Sequence, residues 1–397
     1  MDRDGKLLLL GRAARHDVCA AGCGPPRPKR RLREIAPHVI TQALTADGRA
    51  VSLFKVLQSN ACQFDCAYCA SRASRSCRRT AFAPEELADL FMDFRRRGYV
   101  QGLFLSSAVC GSAARSMEQM LKTAELVRLK HGFKGYLHLK VLPGAPFDCV
   151  ERAVELADRC SVNMEAPTES ALHRIASKKA LFSDVVSRMQ MVRRAAGEGL
   201  MRAGQSTQLV VGAAGETDRE ILTAVTALYR DVGLRRVYYS AFEPVADTPL
   251  QDHAPTAPAR EHRLYQVDWL LRRYDDSYSP ADIVLDGAGL LPLGLDPKVA
   301  IALRRPEWFP VEVNRARRRD LLRVPGIGTA SAERIVRARR EHRFTSPDEL
   351  RGLGVVLKRA APFLLVNGQA QGDRRAFAER RLARRADTQL PLPMPAG

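Results

Sequence analysis

From residue 51 to about 275, short runs rich in β-branched and aromatic residues alternate with amphipathic stretches of helical period. That alternation predicts strands joined by helices, one after another along the chain. The strand candidates are VSLFKVL (51–57), GLFLSS (102–107), YLHLKV (136–141), SVNMEA (161–166), QLVVG (208–212) and RVYYSAF (236–242). Helix signals fall between them, among them Pro84 at a first turn, Gly98 past an end and the capping box Thr217 to Glu220. Several strands have one polar face. In YLHLKV, Leu137, Leu139 and Val141 alternate with Tyr136, His138 and Lys140. In SVNMEA, Val162 and Met164 oppose Asn163 and Glu165, and in QLVVG, Gln208 opposes Leu209 and Val211. A doubly wound sheet, covered by helices on both sides, would show strands that are apolar throughout, whereas a barrel lumen that holds a ligand accepts polar side chains. An open βα barrel with a lined interior is expected.

The pattern changes near TPLQDHAPTAPAR (248–260), after which RLYQVDWLLRRY supplies a helix and DGAGLLPLGLDPK a Gly/Pro-bearing connector. RRRDLLRVPGIGTASAERIVRARREH then reads as helix, tight turn, helix. SPDELRGLGVVLKRAAPFLLV repeats the scheme from a start marked by Ser346, Pro347 and Glu349. After Gly368 the chain turns Arg-rich and then Pro-rich, a composition that predicts disorder. The expected domains are a basic N-terminal extension (1–50), the barrel (51–300), an all-α hairpin domain (301–370) and a disordered tail (371–397).

The 397 residues carry a formal net charge of +19, which points to a polyanionic partner. From Arg304 onward there are 21 Lys and Arg against 10 Asp and Glu. RPKRRLR (27–33) is a second basic cluster, read either as a solvated arm or as a contact. The four leucines near the N-terminus are too few for a signal segment or a membrane span. Nine cysteines, three of them crowded together, fit a reducing compartment better than a secreted disulfide framework. A cytoplasmic protein with no membrane partner is expected.

NACQFDCAYC (60–69) places Cys62, Cys66 and Cys69 at C-x3-C-x2-C spacing directly after the first strand candidate. Thiolates bind zinc, copper(I) and iron–sulfur clusters. Structural zinc needs a fourth ligand, from Cys77, Cys19 or Cys23, whereas a four-iron cubane on three cysteines leaves one iron open. With Tyr68 before the last cysteine, the segment resembles the signature of the radical S-adenosylmethionine (SAM) superfamily, over about residues 50 to 250. The resemblance implies an α/β fold, a partial (β/α)6 TIM-like barrel with the chemistry at the C-terminal ends of its strands. It also implies a 4Fe-4S cluster and SAM as cofactors, a 5′-deoxyadenosyl radical that abstracts hydrogen from substrate, and an electron donor such as flavodoxin or ferredoxin.

By resemblance, Cys62, Cys66 and Cys69 hold the cluster and Tyr68 lies near the adenine. Ser106 and Ser107 stand where many members have a Gly-Gly-Glu run that meets the cofactor's amino group, and this chain departs from that run. Glu165 and Gln208 face the lumen toward the cofactor, with an ion pair to a base such as Lys140 as the other reading of Glu165. Gly212 opens GAAGET (212–217), similar to a turn that passes the adenine and equally a plain strand-to-helix turn capped by Thr217. Cys110, just beyond the second strand, is the candidate to return a hydrogen atom to a product radical, with inert packing as its other reading.

In VPGIG (324–328) the glycines permit close backbone approach and expose amides suited to phosphate. LLRVPGIGTASAERI resembles the helix-hairpin-helix motif of DNA repair and replication proteins, and RGLGV (351–355) resembles a degenerate second copy. The implied DNA contacts are Arg323, Pro325, Gly326, Ile327 and Gly328, gripping backbone without base readout. The joint architecture resembles radical enzymes assigned to DNA modification or repair, with the reacting nucleotide extruded from duplex or junction DNA. Two rivals stay open: RNA or a protein-bound substrate, with the hairpins serving localisation, and a non-enzymatic, zinc-stapled DNA-binding scaffold.

Overall fold

The computed structural model describes residues 1–14, 36–44, 50–197, 199–274 and 276–387. The expectations for RPKRRLR, Cys19, Cys23 and the Pro-rich end lie outside them. The chain divides into two compact units, Met1–Ala257 and Pro258–Gly397.

In the first unit seven strands form one sheet in chain order: β1 (Ile40–Leu44), β2 (Ala50–Leu57), β3 (Gly102–Ser106), β4 (Tyr136–Lys140), β5 (Arg159–Ser161), β6 (Gly204–Val211) and β7 (Arg236–Ala241). β1 is antiparallel to β2, and every later pair is parallel. Sequential order without a switch point is the winding of a partial TIM-like barrel and not of a doubly wound sheet. Five of the six expected strands are present, as β2, β3, β4, β6 and β7. β1 is an addition, and it lies within the expected N-terminal extension. That extension also contributes the helix Arg3–Ala13, whose N-cap Asp2 accepts a bond from Gly5 N–H and which buries Leu7 and Leu10. Gly11 lets it approach Val39, since a Cβ there would lie 2.4 Å from Val39 Cγ1.

The outer helices dock apolar stripes on the sheet. Pro84–Arg96 buries Leu87, Leu90, Phe91 and Phe94, and the Phe94 ring lies 5.0 Å from Phe54 of β2. The Thr217 capping box is present, with Glu220 N–H donating to Thr217 Oγ1 and Thr217 N–H to Glu220 Oε2. Lys55, Phe104, His138 and Arg159 are register neighbours and share the lumen face. The floor of the lumen is packed: Phe104 meets His138 edge-on at 4.5 Å, and His138 Nε2 bonds Ser161 Oγ at 2.8 Å. Burial, with the charges of Arg159 and Lys140, holds the His138 pKa well below the usual imidazole range.

SVNMEA needs correction as a strand. β5 occupies Arg159–Ser161, and Glu165 makes only an isolated bridge to Leu209. Glu165 has φ of 65°, so the backbone turns there, a feature that side-chain alternation does not register.

In the second unit, helices Pro258–Arg273 and Pro297–Arg304 join the hairpin region. Gln266 bonds Asp296, Asp296 pairs with Arg359 at 2.9 Å, and Lys298 Nζ donates to the Ile327 carbonyl. These contacts explain why the units part at 257 and not at 300. Helices Arg318–Arg323 and Thr329–Ala338 flank the glycine turn, and a small sheet, β8 (Val311–Glu312), β9 (Leu364–Val366) and β10 (Gln369–Ala370), lies among the helices. Arg374–Asp387 is helical where composition predicts disorder. It is anchored by Phe377 against Phe363 at 5.5 Å and by Arg374 Nη1 on the carbonyls of Pro306 and Phe309. Among the described residues no helix is long and apolar enough to cross a membrane.

Candidate active site

Ser106 ends β3, Lys140 ends β4, and Gln208 and Ser240 lie on the lumen faces of β6 and β7. These strand ends open onto a cavity that Cys62, Cys66, Tyr68, Cys69, Ser107 and Glu165 also line. Eight of the ten sequence candidates in the first unit thus surround one space. Gly212 and Cys110 do not. Gly212, at φ of 90°, donates its N–H to Glu216 Oε1, while Ala214 N–H donates to Glu216 Oε2, so the turn is tied to its own carboxylate. Cys110 is exposed and its N–H donates to Ser116 Oγ, whereas the lining ends at Val109. The hydrogen-donor role expected for Cys110 is withdrawn, because its thiol is not part of the cavity wall.

The cysteine loop is held by specific contacts. Asn60 caps both sides of a crossing, donating from Nδ2 to the Arg78 carbonyl and accepting Thr80 N–H at Oδ1. The Arg79 guanidinium donates to the carbonyls of Asn60, Ser71, Arg72 and Arg75. Two stitches join the loop to the end of helix Glu169–Ile175 and the segment after it: Ala67 N–H to the Ile175 carbonyl at 2.7 Å, and Ser177 Oγ to Asp65 Oδ2 at 2.5 Å. Cys66 packs among Ala166, Leu172, Ile175, Val210 and Phe242, with Tyr68 and Cys69 at the edge of the same cluster.

The three thiols are free of disulfides, and amides serve two of them: Phe64 N–H on Cys62 Sγ and Ser71 N–H on Cys69 Sγ. Burial pushes the Cys69 pKa up to about 12 and raises that of Cys66. Such thiols become thiolates when a cationic group binds them. Among the described residues no three His, Cys, Asp or Glu side chains lie close enough to hold a single metal ion. The Cys77 thiol points to the Ala70 carbonyl at 3.8 Å. A four-iron cluster separates its ligands by the width of the cube, and three thiols lining one cavity, two of them with amide donors, suit it.

Lys179 has no signal in the sequence. It lines the cavity, its Nζ lies 3.5 Å from Glu165 Oε1, and both side chains are 7% exposed. Lys179 is thus a base beside Glu165 that alternation, which suggests Lys140, does not find. Burial opposes the Lys179 charge, but Cys66, Glu165, Cys69 and Cys62 together raise its pKa. Tyr68, by burial and then by the Glu165 charge, has its pKa well above the phenolic range.

In the second unit Gly326, at φ of 90°, lies where a Cβ would be 2.6 Å from the Val356 carbonyl. Val356 N–H donates to the Gly326 carbonyl and Ser331 Oγ to that of Gly354, so the turn locks onto its second copy. Gly328 begins helix Thr329–Ala338 with no side-chain cap and open space at its Cβ position. Pro325 is buried, Ile327 is 1% exposed, and the Arg323 guanidinium stacks on Trp308 at 4.0 Å. These three support the turn from inside, which corrects their reading as outward contacts: apolar burial claims the first two and cation–π stacking the third.

Residues 56–228 match the radical SAM superfamily. They form a radical SAM domain. Its cofactors are a 4Fe-4S cluster and SAM. Residues 309–355 match the helix-hairpin-helix motif. Among solved structures, HydG, a maturase of the [FeFe]-hydrogenase, is 12% identical with a TM-score of 0.44, covering 54% of this chain and 48% of its own. HydG from Carboxydothermus hydrogenoformans is 11% identical at 0.45, covering 54% and 50%. Methylornithine synthase (PylB) is 12% identical at 0.45, covering 54% and 60%. The chain thus spans about half of the two HydG chains and 60% of methylornithine synthase. No curated protein matches it significantly in sequence.

Proposed function

We propose that the chain is a radical SAM enzyme that modifies or repairs DNA, with Cys62, Cys66 and Cys69 as the cluster ligands. When bound, the reduced cluster and SAM supply a 5′-deoxyadenosyl radical for hydrogen abstraction from a base or sugar. The chain's own residues do the rest. Tyr68 and the apolar wall around Cys66 exclude water. Ser106, Ser107, Glu165 and Gln208 offer polar groups at the strand ends to orient the cofactor. The turn at Gly326 and Gly328, on a segment from Arg304 with 21 basic and 10 acidic residues, holds phosphates. A reacting nucleotide leaves the stack to reach a cavity at the strand ends. A reducing partner such as flavodoxin or ferredoxin, and a cytoplasmic location, follow from this proposal.

The observation that carries it is the presence on one chain of a thiol-lined barrel cavity and a helix-hairpin-helix turn. Perdeuterated DNA offered to anaerobically reduced enzyme tests it. Deuterium in 5′-deoxyadenosine is the expected result. Transfer from labelled RNA or protein, with none from DNA, overturns the DNA assignment.

A further inference from the structure

We infer that Lys179 places a fixed positive charge against the cluster held by Cys62, Cys66 and Cys69, and thereby raises its reduction potential. The inference rests on the proposed ligation by those cysteines and is independent of the substrate.

Lys179 is held in place by its backbone. Its N–H donates to the Ala176 carbonyl, and the segment before it is stitched to the cysteine loop by Ala67 on Ile175 and by Ser177 on Asp65. The stem runs beside Phe64, whose ring centre is 5.4 Å from Nζ. The buried ammonium lines the same cavity as Cys62, Cys66 and Cys69, with Phe64 of the cysteine loop beneath it. In a site this dry the charge is weakly screened. Reduction adds one negative charge to the cluster, and net charge and hydrogen bonds at the sulfurs are among the determinants of cluster potential. The ammonium therefore favours the reduced form, and Glu165, 3.5 Å beyond it, counteracts part of the effect.

The test compares full-length wild type with Lys179→Met, Lys179→Arg, Glu165→Gln and the double variant Lys179→Met/Glu165→Gln. All are reconstituted anaerobically, assayed for iron and sulfide, and titrated by EPR-monitored potentiometry without SAM. The midpoint is expected to move to more negative potential in Lys179→Met, to stay near wild type in Lys179→Arg and to move to more positive potential in Glu165→Gln. Should Lys179→Met lose the cluster because Glu165 is left buried and unpaired, the double variant is read against Glu165→Gln, and it is expected at the more negative potential. A four-iron cluster with an unchanged midpoint on removal of the lysine overturns the inference. So does an unchanged midpoint accompanied by weaker SAM binding, which assigns the ammonium to the ligand alone. A wild type that assembles no four-iron cluster overturns the cysteine ligation itself.

Discussion

Arg79 closes the cysteine loop with one guanidinium on four carbonyls. Hydrogen bonds to a charged group are worth more than neutral ones, and buried acceptors left unpaired are costly. Replacing Arg79 with Met is expected to destabilise the first unit by about 2–4 kcal/mol. It should also lower the iron bound per chain after reconstitution, and chemical unfolding with iron assay checks both. The three thiols were legible because their spacing is local, whereas Glu165 lines the cavity from beyond the end of β5, not from the strand that alternation assumed. Arg79 and Lys179 were not legible, since one acts through backbone carbonyls and the other reaches the cavity of the cysteine loop only after the chain has passed through β3 to β5. Cys110 shows the reverse error: it sits one residue past a lining position, and sequence distance from a strand does not fix which way a loop side chain turns.

At the level of the hairpin, two glycines that look alike in VPGIG have different tasks. Gly326→Ala meets both a positive φ and the Val356 carbonyl, so a loss of about 1–3 kcal/mol or more is expected in the second unit. Gly328→Ala, at φ of −94° with open space, should leave stability nearly unchanged. Thermal unfolding of the two variants distinguishes them. Beneath the turn, burial brings the Lys298 pKa down to about 7 while its amine donates to the Ile327 carbonyl. An unfolded lysine keeps its proton to about pH 10. Between those values the unfolded chain binds more protons, so stability rises with pH across that window and the penalty is complete below it. Lys298→Met should remove this contribution to the rise, measured as the difference between the two unfolding curves from pH 6 to 10. The hairpin was legible from its glycines. Lys298 was not, because nothing in DGAGLLPLGLDPK marks a lysine destined for burial.

For the molecule as a whole, the charge distribution predicts binding dominated by phosphate contacts. With six or more such contacts, duplex affinity should fall about a thousandfold or more between about 50 and 200 mM salt, and a shallow slope in a fluorescence titration would argue against this mode. The barrel was legible at this scale from the polar faces of its strands. The limit between the units was not, since Pro258–Arg273 looks like one more barrel helix until its partners are seen. The two stitches at Ile175 and Ser177 bear on biogenesis. A nascent chain exposes all three thiols more than a hundred residues before the ribosome delivers the wall that shields them. Assembly factors that insert iron and sulfide therefore meet a competent receptacle only after the fifth strand and its following helix have been translated and docked.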